Sequence, residues 1–417
     1  MFSGVLKRRM KNRLADWWPL FYASDLRRCL RNCRASVEQR RLEHRIVSMP
    51  PAGESRGNVL FSYRIEGFLL PVGHPVLNTH TNYWRSVQMA RTFLELGYTV
   101  DVIDYRNDEF EPEKEYAVFV DVRHNLERLA SRVGNRCTKI FHIDTAHILR
   151  HNAGEAARLV GLQERKNVTL QPVRWERPNL GIEFADCATA SVAEGEYAIS
   201  TFRYAGKPIY PVPVPVAHTF DCPRDKDWQA CRNRFVWFGS GGLVHKGLDV
   251  TLDAFAKTPE CHLTVCAPVH HEKAFERAYW RELYKTPNIE TVGWVESGGE
   301  PFRQIARSCA GLVFPSVSES CSASTIECMH AGLIPIVSRE TGVPVRGFGC
   351  ALAVSSVEEI QAAVRRVAGM APAELETWSR QAWEYARTNH TRERFAAVYR
   401  DVITTILAQH TSAVIGS

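Results

Sequence analysis

Two stretches in the second half of the chain combine residue types that can hold an anion beside a set of hydroxyl groups. In Phe238-Gly-Ser-Gly-Gly-Leu-Val-His-Lys246-Gly247 an apolar run ends in glycines and leads to a lysine where a helical pattern begins. Glycine lets backbone amides approach an anion closely, and the lysine adds a full positive charge. In Pro315-Ser-Val-Ser-Glu319-Ser-Cys-Ser-Ala-Ser-Thr-Ile-Glu327 a small-residue loop carries one glutamate. A helix expected to start near Ser324 carries the other. Amides at a helix start attract anions, and carboxylates accept hydrogen bonds from hydroxyls. Together these groups suit a diphosphate flanked by a ribose and a sugar ring. Each stretch also has a plain structural reading. Glycine-rich turns from strand to helix are common, with the lysine solvated. Ser324-x-x-Glu327 has capping-box spacing, in which Glu327 would serve backbone donors, and Glu319 could be an exposed loop carboxylate.

The elements that must position these groups alternate along the chain. Asn58–Tyr63, Thr99–Asp104, Tyr116–Val122 and Lys139–Ile143 read as strands. A helix from about Tyr83 to Leu96 places Trp84, Val87, Ala90 and Leu94 on one face. Residues 206–216 are proline-rich and stiff, which predicts a link between domains. The alternation then restarts with strands at Phe235–Phe238, His262–Cys266, Ile289–Val292, Gly311–Phe314 and Leu333–Val337. Helices are expected to begin near Gly247, Pro301 and Ser324, and Ser356-x-x-Glu359 reads as a capping box. The last helix, about Thr391–Ala408, carries an apolar stripe of Phe395, Val398, Tyr399, Val402 and Ile406. With no strand after it, it is expected to brace the first domain. The fold class is α/β: two doubly wound Rossmann-like domains facing a central cleft, with ligands at the carboxyl ends of the strands.

The two blocks resemble the retaining GT-B glycosyltransferases of the family 4, or group 1, type. That signature is a Pro-Ser turn, a glutamate, seven residues, a second glutamate, then Ala-Gly-x-Pro. Here these are Pro315-Ser316, Glu319, Glu327 and Ala331-Gly332, with Pro335 two residues past Leu333. Lys246-Gly247 lies upstream, Gly293 takes the family's glycine between strand and helix, and Thr341-Gly342-Val343-Pro344 resembles its downstream loop. The likeness is strong over about 235–345 and loose over the first half. It implies transfer of a sugar from a nucleotide-diphosphate sugar to a glycan or lipid-linked acceptor, with retention and without a metal or other cofactor. Lys246, Glu319 and His142 would be the catalytic residues, His142 facing the donor sugar from the first domain. Gly239, Ser240, Gly241, Gly242, Lys246, Gly247, Ser320, Cys321, Ser322, Ala323, Ser324 and Glu327 would bind the donor. One position departs: the family's arginine six residues before the lysine is Ser240. Either His245, Arg303 or an arginine of the first half supplies that charge, or the donor binds more weakly. The implied domains are an extension over 1–55, an acceptor-binding domain over 56–207 and a linker over 208–234. A nucleotide-sugar-binding domain over 235–385 and a returning helix over 386–417 follow.

Composition bounds the rest. Across 417 residues, 45% are apolar and 24% charged, as in ordinary globular domains. The net charge is +6, yet residues 1–45 alone hold twelve Lys/Arg against four Asp/Glu. Trp17, Trp18, Phe21 and Tyr22 sit among these cations, which suits a basic helical extension touching an anionic membrane surface. No nucleic-acid-binding motif accompanies the charge, so nucleic acid is not an expected partner. No apolar run is long enough to span a membrane and the first residues do not read as a secretory signal. A cytoplasmic protein, peripheral on the inner face of the membrane, is expected. The twelve cysteines are scattered, which predicts reduced core thiols. Asp225-Lys-Asp227 reads as a solvated linker rather than a metal site. Two other functions fit the same frame: a nucleotide-sugar epimerase, and a non-catalytic scaffold.

Overall fold

A computed structural model describes residues 38–71, 73–78, 81–192 and 196–415, with the backbone alone over 410–415. The expected extension falls largely on residues 1–37, which lie outside the described residues.

The first half builds a seven-stranded sheet from β1 (Ile46–Met49), β2 (Asn58–Tyr63), β3 (Thr99–Asp104), β4 (Val118–Asp121), β5 (Thr138–Ile143), β6 (Cys187–Ser191) and β7 (Ile209–Val212). The order is β1-β3-β2-β4-β5-β6-β7. Only β1 runs antiparallel, against β3. The second half builds a parallel sheet from β8 (Arg234–Phe238), β9 (His262–Cys266), β10 (Ile289–Thr291), β11 (Gly311–Phe314), β12 (Ile334–Ser338) and β13 (Cys350–Leu352). Its order is β10-β9-β8-β11-β12-β13. This is the GT-B fold. Strand order reverses between β2 and β4 in the first sheet and between β8 and β11 in the second. A crevice opens at the carboxyl ends of the strands at such a switch point.

Buried strands read as apolar runs because helices cover both faces of a parallel sheet. The covering helices include α1 (Thr81–Glu95), α2 (Ile148–Lys166), α3 (Leu248–Ala256), α4 (Ala323–His330), α5 (Pro372–Asn389) and α6 (Arg392–Ile415). The expected return of the last helix is present: Phe395, Tyr399, Ile403 and Ile406 are buried in the core of the first sheet. Ser356 caps the helix after it as expected, its Oγ accepting from Glu359 N at 3.1 Å, while the Glu359 carboxylate accepts from the amides of Ala353, Val354 and Ser355 rather than from Ser356 N.

Two elements lie differently from expectation. The proline-rich stretch opens inside the first sheet, since β7 pairs with β6 at an edge. Proline is tolerated there because one side of an edge strand needs no ladder donor. Beyond it Val214 and Val216 are buried against α4 and α5, so the link is packed rather than loose. Lys226 is also not solvated: it is buried, 4.6 Å from the Trp228 ring centroid, and Asp227 caps the next helical turn.

Helix α2 belongs to the first domain by sequence but docks on the second. Leu162 and Leu170 join the second core. Arg158 and Arg165 meet Asp249 of α3 at 3.5 and 2.5 Å, Arg165 and Lys166 meet Asp253 at 2.8 and 3.0 Å, and Lys166 meets Glu282 at 2.6 Å. The ten cysteines among the described residues are all unpaired thiols, nine of them buried. No helix among the described residues is long and apolar enough to cross a membrane.

Candidate active site

The two switch points face each other across a cavity of about 430 Å³. Its second-domain wall is made by the segments that leave β8 and β11. Gly239, Ser240, Lys246, Glu319, Ser320, Cys321, Ser322, Ala323, Ser324 and Glu327 all line it. The structure thus brings together most of the residues singled out in the sequence. Trp294, just past β10, joins them and is half exposed.

Lys246 is almost fully buried, and its Nζ donates to Ser240 Oγ at 2.8 Å. Burial pushes its pKa down to about 8, against the opposing pull of the Glu319 carboxylate. The ammonium is held in a site of low polarisability, where its field is weakly screened. Glu319 sits on the loop with Ser316 Oγ donating to its Oε1 at 3.2 Å. Ser320 Oγ reaches across the cleft to donate to the Asp144 carbonyl at 3.0 Å. Ser322 is the N-cap of α4, its Oγ accepting from Thr325 N at 3.2 Å. The capping-box reading of Ser324 and Glu327 is therefore incorrect. The helix starts earlier, and Glu327 is free of that duty. Its Oε1 accepts from Ala217 N at 3.3 Å, and burial raises its pKa to about 7. The amides of Ala323 and Ser324 begin the helix beside it.

Four expected donor-site and catalytic residues are placed elsewhere. Gly241, Gly242 and Gly247 do not line the cavity. The amides of Gly242 and Leu243 donate instead to Glu272 Oε1, at 2.6 and 3.2 Å. A carboxylate from another segment, past β9, thus occupies the place of an external anion. Gly247, at φ 76°, is there for close packing: a Cβ would lie 2.4 Å from the Pro315 carbonyl oxygen. His142 is fully enclosed and does not face the cleft. Its Nδ1 lies 2.8 Å from Thr189 Oγ1 and its Nε2 3.2 Å from Ser191 Oγ. Burial and the nearby Arg85 lower its pKa to about 3, so it is a neutral member of the sheet core.

The first-domain wall holds residues the sequence reading missed. Tyr63 is the last residue of β2, Arg123 follows β4 and Asp144 follows β5; Arg85 comes from α1. Asp144 contacts Arg123 and lies 3.9 Å from Arg85 Nη2, whose guanidinium also bonds Tyr63 OH. Burial acts to raise the Asp144 pKa, but the two guanidiniums outweigh it and hold the carboxyl below its usual range. The available signal was position: Asp144 and Arg123 each follow a strand's carboxyl end, where ligands gather. From the loop after α2, Arg174 also reaches the cavity. No sequence signal links it to Lys246.

Residues 232–369 match the family model described as Glycosyl transferases group 1. This segment is a group 1 glycosyltransferase domain within a chain of GT-B fold. A comparison with curated proteins returned no match. Among solved structures, sucrose-phosphate synthase from Thermosynechococcus elongatus is similar at a TM-score of 0.57 and 12% identity, over 85% of this enzyme and 100% of that chain. An α,α-trehalose-phosphate synthase (UDP-forming) from Burkholderia vietnamiensis reaches 0.57 at 11% identity, over 87% and 98%. HepE of Anabaena, in complex with UDP and glucose, reaches 0.50 at 13% identity, over 85% and 100%. At these identities the likeness is one of fold.

Proposed function

We propose that the enzyme moves a sugar from a nucleotide-diphosphate sugar to a glycan or lipid-linked acceptor, with retention and without a metal ion. One observation carries this reading: Lys246, the first turn of α4, Glu319 and Glu327 line one cavity at the switch point of the second sheet. The diphosphate lies against Lys246 and the amides of Ala323 and Ser324. Glu327 accepts from the ribose hydroxyls and Glu319 from those of the sugar. The acceptor enters along the wall of Tyr63, Arg85, Arg123 and Asp144. The complex of HepE with UDP and glucose supports a donor of this class.

As the glycosidic bond breaks, its electron pair goes to the diphosphate oxygen and the sugar carbon becomes cation-like. Lys246 and the helix amides are already aimed at the growing negative charge, so little reorganisation is needed. The acceptor oxygen then bonds the same face of that carbon, and its proton passes to the leaving phosphate oxygen. Asp144 is tied to two arginines and makes a poor nucleophile, which fits a route without a covalent enzyme intermediate. An epimerase would use the same donor groups but would not need the polar first-domain wall.

UDP-, GDP-, ADP- and CMP-sugars scored by thermal shift test this reading, since bound ligand stabilises by mass action. One donor should stand out and release its nucleotide only when acceptor is supplied. No shift with any donor would overturn the proposal, and release of a new sugar isomer without acceptor would favour the epimerase. The pH dependence is a second check. Glu327 is anionic only above about pH 7 and Lys246 cationic only below about pH 8. kcat/KM is therefore expected to follow a narrow bell between those limits. The acid limb should flatten in Glu327→Gln, and a profile level from pH 6 to 9 contradicts the two assignments.

Residues 1–45 carry the proposed contact with an anionic membrane. Flotation with vesicles of anionic lipid should retain the full chain and lose it on deletion of 1–37; equal retention of both would end that idea.

A further inference from the structure

We propose that Arg174, reaching in from the first half of the chain, is the second cation for the diphosphate and replaces the arginine absent at position 240. The inference rests on the nucleotide-sugar reading above and adds the source of the missing charge.

Arg64, Arg85 and Arg123 also line the cavity but face the carboxylates of Glu66 and Asp144, and the second-half sources fall away on geometry. His245 is fully enclosed, has its Nε2 2.9 Å from the Ser318 carbonyl, and burial lowers its pKa to about 2. It carries no charge. Arg303 lies outside the cavity, beside Glu300 and over the Phe220 ring. Ser240 itself is occupied in accepting from Lys246.

Arg174 lines the same cavity as Lys246 and Ser240. Its stem lies directly on Gly242, where a Cβ would come 2.4 Å from its Cγ and 2.8 Å from its Cδ. The glycine run that looked like a phosphate loop thus clears the path of an arginine. The Arg174 Nε is enclosed and has no hydrogen-bond partner among the described residues. A buried charged donor left unpaired is costly. At the edge of an anion site it is explained by an acceptor that arrives with the ligand.

The backbone that carries Arg174 is held by three side chains of α2. Glu155 Oε1 accepts from Val173 N and Arg174 N, each at 2.9 Å. His151 Nε2 lies 2.7 Å from the Arg174 carbonyl. Asn152 bonds both Glu176 N, at 3.0 Å, and Glu176 O, at 2.9 Å. Since α2 is itself anchored on Asp249 and Asp253, Arg174 is fixed relative to Lys246 although more than seventy residues of sequence separate them.

The test is calorimetric binding of UDP, GDP, ADP and CDP to the full chain. Arg174→Gln keeps a carbon stem of similar bulk over Gly242 and removes the guanidinium with its charge and donors. It should weaken the best-bound diphosphate about tenfold to a hundredfold, as expected for a lost charged hydrogen bond. Adding Ser240→Arg to that variant should recover at least tenfold, because it restores a cation where the family carries one. A merely structural role would not be rescued by a charge on another loop. Affinity within twofold of the unsubstituted chain in Arg174→Gln, or no recovery with Ser240→Arg, overturns the proposal. If the unsubstituted chain binds none of the four diphosphates, the nucleotide-sugar reading itself fails, and the proposal with it.

Discussion

Lys246→Ala is expected to lower turnover by about 100-fold or more, the usual scale when one preorganised charge contact to a transition state is removed. The loss should fall mainly on kcat. Charge on the diphosphate grows as the glycosidic bond breaks, so the ammonium stabilises the transition state more than the bound donor. The environment of Lys246 supports a large effect. It is buried, and among the described residues its side chain has a serine hydroxyl as partner at 2.8 Å and no close carboxylate ion pair. Steady-state kinetics with the donor found by thermal shift would measure this. Turnover like that of the unsubstituted enzyme would take Lys246 out of the mechanism.

Asp249→Ala should cost about 3–5 kcal/mol of stability, the typical penalty for removing one partner of a buried ion pair. Asp249 is fully enclosed, and Arg158 beside it is nearly so. Deleting the carboxylate leaves a guanidinium facing a dry interior. The same change undoes the docking of α2, so the donor site is expected to loosen together with the fold. Asp249→Asn should cost much less. The amide oxygen of asparagine can still accept from the two arginines, so the guanidiniums keep a hydrogen-bond partner although the charge is lost. Denaturant unfolding checks both variants; an alanine variant within 1 kcal/mol of the parent would show that the network is dispensable.

The parts of this enzyme that were legible in its sequence are those where local chemistry and final structure coincide. NVLFSY and TVDVID are apolar enough to be strands anywhere, and both are. Glu319, Glu327 and Lys246 stand in short, ordered motifs whose spacing is fixed by one turn of chain each. The misreadings have tertiary causes. CATAS is too small and polar to look like a strand, yet β6 is buried between β5 and β7. The prolines around Tyr210 hid β7, because edge position cannot be read from sequence. His142 sits at a strand end as expected, but the buried Thr189 and Ser191 claim its ring. The glycine run was assigned to phosphate because nothing local reveals Glu272 or Arg174, which meet it from other segments. Long-range contacts of this kind leave no periodic trace.

A structure of the full chain with its nucleoside diphosphate bound tests the central claim most directly. The account places the diphosphate within hydrogen-bond reach of Lys246 Nζ and the amides of Ala323 and Ser324, with Glu327 on the ribose. A nucleotide seated elsewhere, with Glu319 and Glu327 touching no hydroxyl, would contradict it.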